Sequence, residues 1–320
     1  MSNKHKIIFD TDPGVDDTMA IYAALRSPQI EIVGFTTIFG NVDVDLATVN
    51  ALRILEIAGR TDIPVVKGAK DPLAGSYSGP VPFVHGDNGQ GNVEMTPPTT
   101  KALDGTAAQF IIDQVMEKSG EIVIVAVGPL TNLALALRLQ PDIVKHVKEV
   151  IIMGGNALCP GNATPAAEAN IHNDPEAADL VFSAEWPVTM VGLDVTHKVN
   201  MSNETLAEFA KSDDPLALHI SKIIGFYRDF FESELDVSGI YVHDSSAVAY
   251  LLDRSLFTTA AWPIKVDTSH GVSRGKTWPS MANTDKELEG NALPAWQKRP
   301  KVSVCIEVKG EQVVELLMSH

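Results

Sequence analysis

The sequence predicts an α/β fold, a mostly parallel open sheet flanked by helices, and three observations lead there. Short β-branched runs alternate with helical patterns through the first two-thirds of the 320 residues, as βαβ units do. The first strand candidate ends in the unbroken apolar run Ile7-Ile8-Phe9, the mark of a strand buried on both faces. Polar or turn-forming residues directly follow several strand ends: Phe39-Gly40-Asn41, Val127-Gly128-Pro129, Met153-Gly154-Gly155-Asn156 and Leu193-Asp194-Val195-Thr196-His197. In a parallel sheet all these loops share one edge, where ligands bind.

Taken in order, Lys6 to Asp12 opens the sheet, and the Pro13-Gly14 turn leads into a helix that Asp16 or Asp17 begins and Ser27 ends. Its apolar positions are Met19, Ala20, Ala23 and Ala24, spaced for one helical face. Strands follow at Ile30 to Thr37, Ile63 to Gly68, Glu121 to Val127, Glu149 to Met153 and Val188 to Asp194. Helices near Val44 to Ala58, Thr106 to Lys118, Leu130 to Arg138 and Pro175 to Phe182 lie between or beside them. Beyond residue 200 the helices lengthen. Asp213-Asp214-Pro215 opens one that runs to about Glu234, and Val242-His243-Asp244 precedes another through Leu252. Pro263 to Val266 and Val302 to Val308 are strand-like, and a short helix closes the chain. With no repeat, low-complexity tract or linker-like break, residues 1–320 are expected to form a single catalytic domain with additional C-terminal helices and short strands.

The densest chemistry lies in Asp10-Thr11-Asp12-Pro13-Gly14-Val15-Asp16-Asp17, four carboxylates in eight residues at the head of the first strand. One aspartate there would be an ordinary helix cap. Four repel one another unless a hard cation lies among them, so the cluster points to a divalent metal.

Composition narrows the partners. The chain is 45% hydrophobic and 21% charged, an ordinary globular composition, with a formal net charge of -16. Nucleic acid and anionic membranes recruit Lys and Arg, so neither is expected as a partner. The first residues run directly into a strand, leaving no room for a secretory segment, and no apolar run is long enough to span a membrane. Cys159 and Cys305 are the two cysteines, too few for a disulfide framework. A cytoplasmic location is expected.

The acidic turn is followed, in order, by Gly40-Asn41, Val127-Gly128-Pro129-Leu130-Thr131-Asn132, Met153-Gly154-Gly155, Ala167-Glu168-Ala169-Asn170, Asn173-Asp174-Pro175-Glu176-Ala177-Ala178, Gly192-Leu193-Asp194-Val195-Thr196-His197 and His243-Asp244. With this ordered set, spanning residues 10 to 244, the chain resembles the inosine-uridine preferring nucleoside hydrolases, the nucleoside N-ribohydrolase family with a Rossmann-like core. The resemblance implies calcium (Ca2+) held by Asp12, Asp17, the main-chain carbonyl of Thr131 and Asp244, and a ribose held by Asp16, Asn41, Asn162, Glu168 and Asn170. It implies hydrolysis of a ribonucleoside to ribose and free nucleobase in nucleoside salvage, by a homodimer or homotetramer. Without the resemblance, Thr131 is simply a helix-start residue after a Gly-Pro turn, and residues 161–170 an exposed polar loop.

Breaking an N-ribosidic bond through an oxocarbenium-like transition state needs an activated water, stabilised positive charge on the sugar and a better leaving base. The expected general base is Asp12, acting on a calcium-bound water. Histidine supplies the third need because it ionises near neutral pH. His243 matches the family position for leaving-base protonation, and His85 in Val84-His85-Gly86-Asp87 a second site histidine in a mobile loop. The family commonly continues that loop with Gly-Glu-Asp-Gly-Leu-Gly, whereas this chain has Gly86-Asp87-Asn88-Gly89-Gln90-Gly91.

For the base, Tyr227 and Phe231 stand four apart on one helical face. Such a stripe is usually core packing, but the family places base contacts on the corresponding helix. Trp262 and Trp278 have no such support and are assigned to packing. A rival chemistry, metal-dependent phosphoryl transfer, also begins from Asp-x-Asp after a first strand. It requires a cradle of Lys, Arg or main-chain amides, and these loops are dominated by Asp, Asn and Glu. A ribose sensor without turnover is the third possibility, and retention of Asp12 and His243 argues against it.

Overall fold

A computed structural model describes residues 4–281 and 295–319. Nine strands form one sheet: β1 (His5–Thr11), β2 (Ile30–Thr37), β3 (Val65–Lys67), β4 (Ile122–Ala126), β5 (Glu149–Met153), β6 (Val188–Val191), β9 (Phe257–Val266), β10 (Thr277–Pro279) and β11 (Lys301–Val308). Two short strands, β7 (Asn200–Met201) and β8 (Ile240–Tyr241), pair apart from it. The order is β10-β9-β11-β6-β5-β4-β1-β2-β3, parallel from β3 through β6 to β11, with β9 antiparallel to both β11 and β10. The chain winds from β1 outward through β2 and β3, then returns past β1 to β4. The crevice between β1 and β4 is therefore the switch point where α/β sheets bind ligands.

Both faces of the sheet's centre are buried, which is why β4, β5 and β6 and the inner part of β1 are largely apolar runs. Ile7 and Phe9 face one core with Val123, Val125, Ile151 and Met153. Their neighbours Ile8, Ile122, Ile124, Val150 and Ile152 face the other, as the two-residue period of a strand requires. Helices Val15–Arg26, Pro215–Leu235 and His243–Leu252 cover the first face. Helices Ala107–Glu117, Thr131–Leu139 and Pro175–Ser183 cover the second.

Three local departures from the expected elements have physical reasons. The strand expected over Val188 to Asp194 stops at Val191, because Gly192 turns the chain into the helical turn Leu193–Thr196. There the Asp194 carboxylate accepts hydrogen bonds from Ala157 N and Leu158 N at 2.7 and 2.6 Å. β9 starts at Phe257 rather than Pro263, since Thr258, Thr259 and Ala261 are exposed and leave no apolar run to read. Within the segment expected to be a loop, Ala169–Asn173 forms a helix too short to show periodicity. Trp278 also corrects its assignment to packing: it is 44% exposed, with Lys276 Nζ 5.6 Å from its ring. Trp262 does pack against the second core. Among the described residues, no helix is long and apolar enough to cross a membrane.

Candidate active site

The β1 to helix turn assembles the acidic centre. Asp17, in the first helical turn, accepts from Gly14 N at 2.9 Å and so caps its own helix. It also accepts from the Thr11 hydroxyl and from Asn41 Nδ2, the latter at 2.9 Å. Asn41 N donates to Asp12 Oδ2 at 2.6 Å. Asp12 lies in a cradle of glycines, where a Cβ at Gly40 would stand 2.0 Å from its Oδ2 and one at Gly128 2.6 Å from its Oδ1. The asparagine expected at the sugar thus holds two carboxylates in place.

Asp244 enters from the first turn of the helix His243–Leu252. Asp16, Asp17 and Asp244 are buried and each offers an oxygen within 4.8 Å of the others. Asp16 therefore joins Asp17 and Asp244 in this group, whereas the resemblance implied Asp12, Asp17, the Thr131 carbonyl and Asp244, and Asp12 lies beside it. Burial raises the pKa of all four: Asp16 and Asp17 reach about 6, and Asp12 and Asp244 go well above the usual carboxylate range, with repulsion from their acidic neighbours adding to the rise in Asp12, Asp17 and Asp244. Asp12 Oδ1 and Asp16 Oδ1 are buried without a hydrogen-bond partner. A pit of oxygen donors that repel one another and keep lone pairs unclaimed fits a hard cation.

Of the remaining ribose candidates, Glu168 acts on Asp244 electrostatically, while Asn162 and Asn170 are held by local hydrogen bonds. Glu168 is buried and caps the Ala169–Asn173 helix, its Oε1 accepting from Asn170 N at 2.8 Å and its Oε2 from Ile171 N at 3.1 Å and Gly155 N at 2.8 Å. Asn170 Nδ2 donates to Val127 O at 2.8 Å and Met153 O at 3.1 Å, bridging the ends of β4 and β5. Asn162 is exposed and its Oδ1 accepts from Ala169 N at 3.0 Å. Thr131 begins its helix with Oγ1 donating to Asp174 Oδ2 at 2.7 Å.

The aromatic candidates His85, Tyr227 and Phe231 converge. His85 Nδ1 accepts from Val15 N at 3.2 Å, and its ring stacks on Tyr227 with centroids 5.3 Å apart. Tyr227 donates its hydroxyl to Asp16 Oδ2 at 3.3 Å and meets Phe231 edge-on at 4.9 Å. His243 Nδ1 lies 2.8 Å from Thr196 Oγ1. Burial lowers His85 to about 4 and, with help from His197 and His85, lowers His243 to about 3. Both imidazoles are thus neutral near pH 7, against the expectation of ionisation there.

Comparison with known proteins gives the family. The family model for inosine-uridine preferring nucleoside hydrolase matches residues 7–315. The chain belongs to that family. This nucleoside hydrolase is 42% identical to the probable uridine nucleosidase 2 of Arabidopsis thaliana over all of its own length and 98% of the relative's. It is 40% identical to the inosine-uridine preferring nucleoside hydrolase of Leishmania major, covering 85% of this chain and 86% of that one. Among solved structures, a plant nucleoside hydrolase superposes with a TM-score of 0.94 at 40% identity, covering 98% of this chain and 97% of that chain. The purine-preferring ribonucleoside hydrolase from Gardnerella vaginalis does so with 0.89 at 34% identity and the same coverage. The activity is hydrolysis of the N-glycosyl bond of ribonucleosides to ribose and free base.

Sequence reasoning gave no role to several residues of this hydrolase's site. Tyr241 lies 5.4 Å from Phe231 and 6.0 Å from His243, ring to ring, and His197 lies 5.5 Å from His243. Thr196 and His197 belong to a motif already singled out, and Tyr241 stands two residues before His243. Gln90 stands in the loop where this chain departs from the family pattern, and His219 carried no signal.

Proposed function

We propose that the cation is calcium and that Asp12, Asp17, the main-chain carbonyl of Thr131 and Asp244 hold it. The observation behind this is the convergence of Asp16, Asp17 and Asp244 beside the unpartnered Oδ1 of Asp12. An all-oxygen donor set without thiol or imidazole favours calcium over zinc. When bound, such an ion polarises water and grips a vicinal diol. Asp12, its Oδ2 fixed by Asn41 N, uses Oδ1 to take the proton of the attacking water.

In the same reading Asp16, Asn41, Asn162, Glu168 and Asn170 orient the ribose, and the surrounding carboxylates offset positive charge growing on the ribosyl ring. His243, with Thr196 Oγ1 on Nδ1, is the candidate acid: it takes a proton from solvent against the burial that lowers its pKa and passes it, as imidazolium, to the departing base, and His85, Tyr227 and Phe231 wall the base slot. Salvage in the cytoplasm by a dimer or tetramer belongs to this proposal, and sedimentation measures the assembly. The test is ribose release from inosine, uridine, cytidine and adenosine by the calcium-loaded, the chelated and the Asp12→Ala protein. Release should disappear on metal removal, return with calcium and be lost in the variant. Full activity in protein shown by elemental analysis to be metal-free would overturn the proposal.

A further inference from the structure

β10 is the outermost strand described at its end of the sheet, yet its first side chain reaches the turn that follows β5. Thr277 is fully buried there, 121 residues along the chain from the residue it holds. Its Oγ1 accepts from Asn156 N at 2.8 Å and donates to Asn156 O at 2.9 Å, so one hydroxyl serves both main-chain groups of one residue. Lys276 Nζ donates to the same carbonyl at 2.7 Å and to Cys159 O at 3.1 Å. The carbonyl therefore has a second donor, whereas among the described residues Asn156 N donates to Thr277 only.

The gripped peptide lies next to a ribose candidate. Gly155 precedes Asn156 with φ at +80°, and its N–H donates to Glu168 Oε2 at 2.8 Å. Glycine brings almost no conformational preference of its own, so the direction of that N–H must be set by what holds the turn. Leu193 N donates to Gly155 O at 2.9 Å, and Thr277 takes the N–H at the other side of the same peptide. A Cβ on Gly155 would stand 2.8 Å from Met190 Sδ and 3.1 Å from Thr277 Cγ2, so the turn is also pressed against both side chains.

We propose that Thr277 is a positioning residue for the sugar: its hydroxyl fixes the Gly155–Asn156 peptide and, through the Gly155 N–H, the carboxylate of Glu168. The proposal rests on the assignment of Glu168 to ribose made above. Valine has the shape of threonine with neither donor nor acceptor, so Thr277→Val strands the buried Asn156 N–H while Lys276 still serves the carbonyl. The glycine turn is then free to rotate. Glu168 keeps Asn170 N and Ile171 N but loses the partner that ties it to the end of β5.

A double-mutant cycle tests this. kcat and KM for ribose release from inosine, uridine, cytidine and adenosine in calcium are measured for wild type, Thr277→Val, Glu168→Ala and the double variant, beside Thr277→Ser, each with its melting temperature. Because misplacement by about 1 Å can cost about 100-fold in rate, kcat/KM should fall by roughly 10- to 100-fold in Thr277→Val. Thr277→Ser keeps the hydroxyl and should stay near wild type. With Glu168 already removed, Thr277→Val should cost little more, since both changes act on one group. Wild-type kcat/KM in folded Thr277→Val, an equal loss in Thr277→Ser, or full additivity in the double variant would overturn the positioning role. Should Thr277→Val not fold, Thr277→Ala, which also removes the hydroxyl, is held to the same criteria. Wild-type kcat/KM in Glu168→Ala would instead sink the assignment of Glu168 to ribose.

Discussion

Asp12 owes its unclaimed oxygen to what surrounds it: a main-chain N–H at Asn41 fixes one oxygen, and two glycines leave room for the carboxylate. Gly40→Ala would bring a Cβ to 2.0 Å from Asp12 Oδ2, closer than such contacts allow, so the carboxylate must move. Because misplacement by about 1 Å can cost about 100-fold in rate, we expect a kcat loss of that order in a protein that still folds, measured as ribose release beside a thermal melt. Asp12→Asn keeps the shape without the base, and kcat should fall by roughly 10²- to 10⁴-fold with every nucleoside. His243→Ala separates substrates instead. If His243 protonates the leaving base, the variant should lose most with purine nucleosides, and wild-type rates across all bases would remove it from that role.

At the scale of elements, β2 and β5 fall on the spans expected from sequence, Ile30–Thr37 and Glu149–Met153; in β5 burial on both faces writes an apolar run directly into the chain, while β2 is legible from its β-branched residues although Glu31 is exposed. Short pieces escaped for the opposite reason. The helices Pro82–His85 and Ala169–Asn173 contain too few residues to show a period, and the first half of β9 is exposed. The acidic turn was legible as chemistry because charge at a strand end is conspicuous, whereas His243-Asp244 was legible through the family resemblance. His197 stood in a quoted motif and Gln90 in a quoted loop, but what they and Tyr241 touch is set by tertiary contact, which one-dimensional spacing does not encode. Another such long-range tie yields a prediction. Glu56 Oε1 accepts from the main-chain and hydroxyl groups of both Thr99 and Thr100, which lower its pKa from 4.5 to about 2. A pKa depressed on folding stabilises above the unfolded value and loses that contribution as pH falls towards the folded one. The melting-temperature gap between wild type and Glu56→Gln should therefore be full above pH 4.5 and shrink towards pH 2. A gap that stays constant down to pH 2 would contradict the assigned clasp.

Across the whole molecule, folding draws carboxylates from both ends of the chain into one pit at the β1/β4 crevice, Asp12, Asp16 and Asp17 from the first turn and Asp244 from a helix more than two hundred residues later. The net charge of -16 adds no counter-charge to spare. Without a cation these acids disfavour the folded state through desolvation and mutual repulsion, and a ligand bound only by that state reverses the effect by mass action. Calcium at about 100 times its Kd should therefore stabilise the fold by about 2.7 kcal/mol, read as a calcium-dependent melting temperature that chelator abolishes. Asp244→Asn makes the argument two-sided. Removing one repelled carboxylate should leave the metal-free protein melting at or above wild type, whereas with saturating calcium for the wild type the variant should melt below it. A variant destabilised equally in calcium and in chelator would show that Asp244 serves its helix rather than the ion, and the crossing of the two melting curves is the outcome that ties the fold's stability to the site's chemistry.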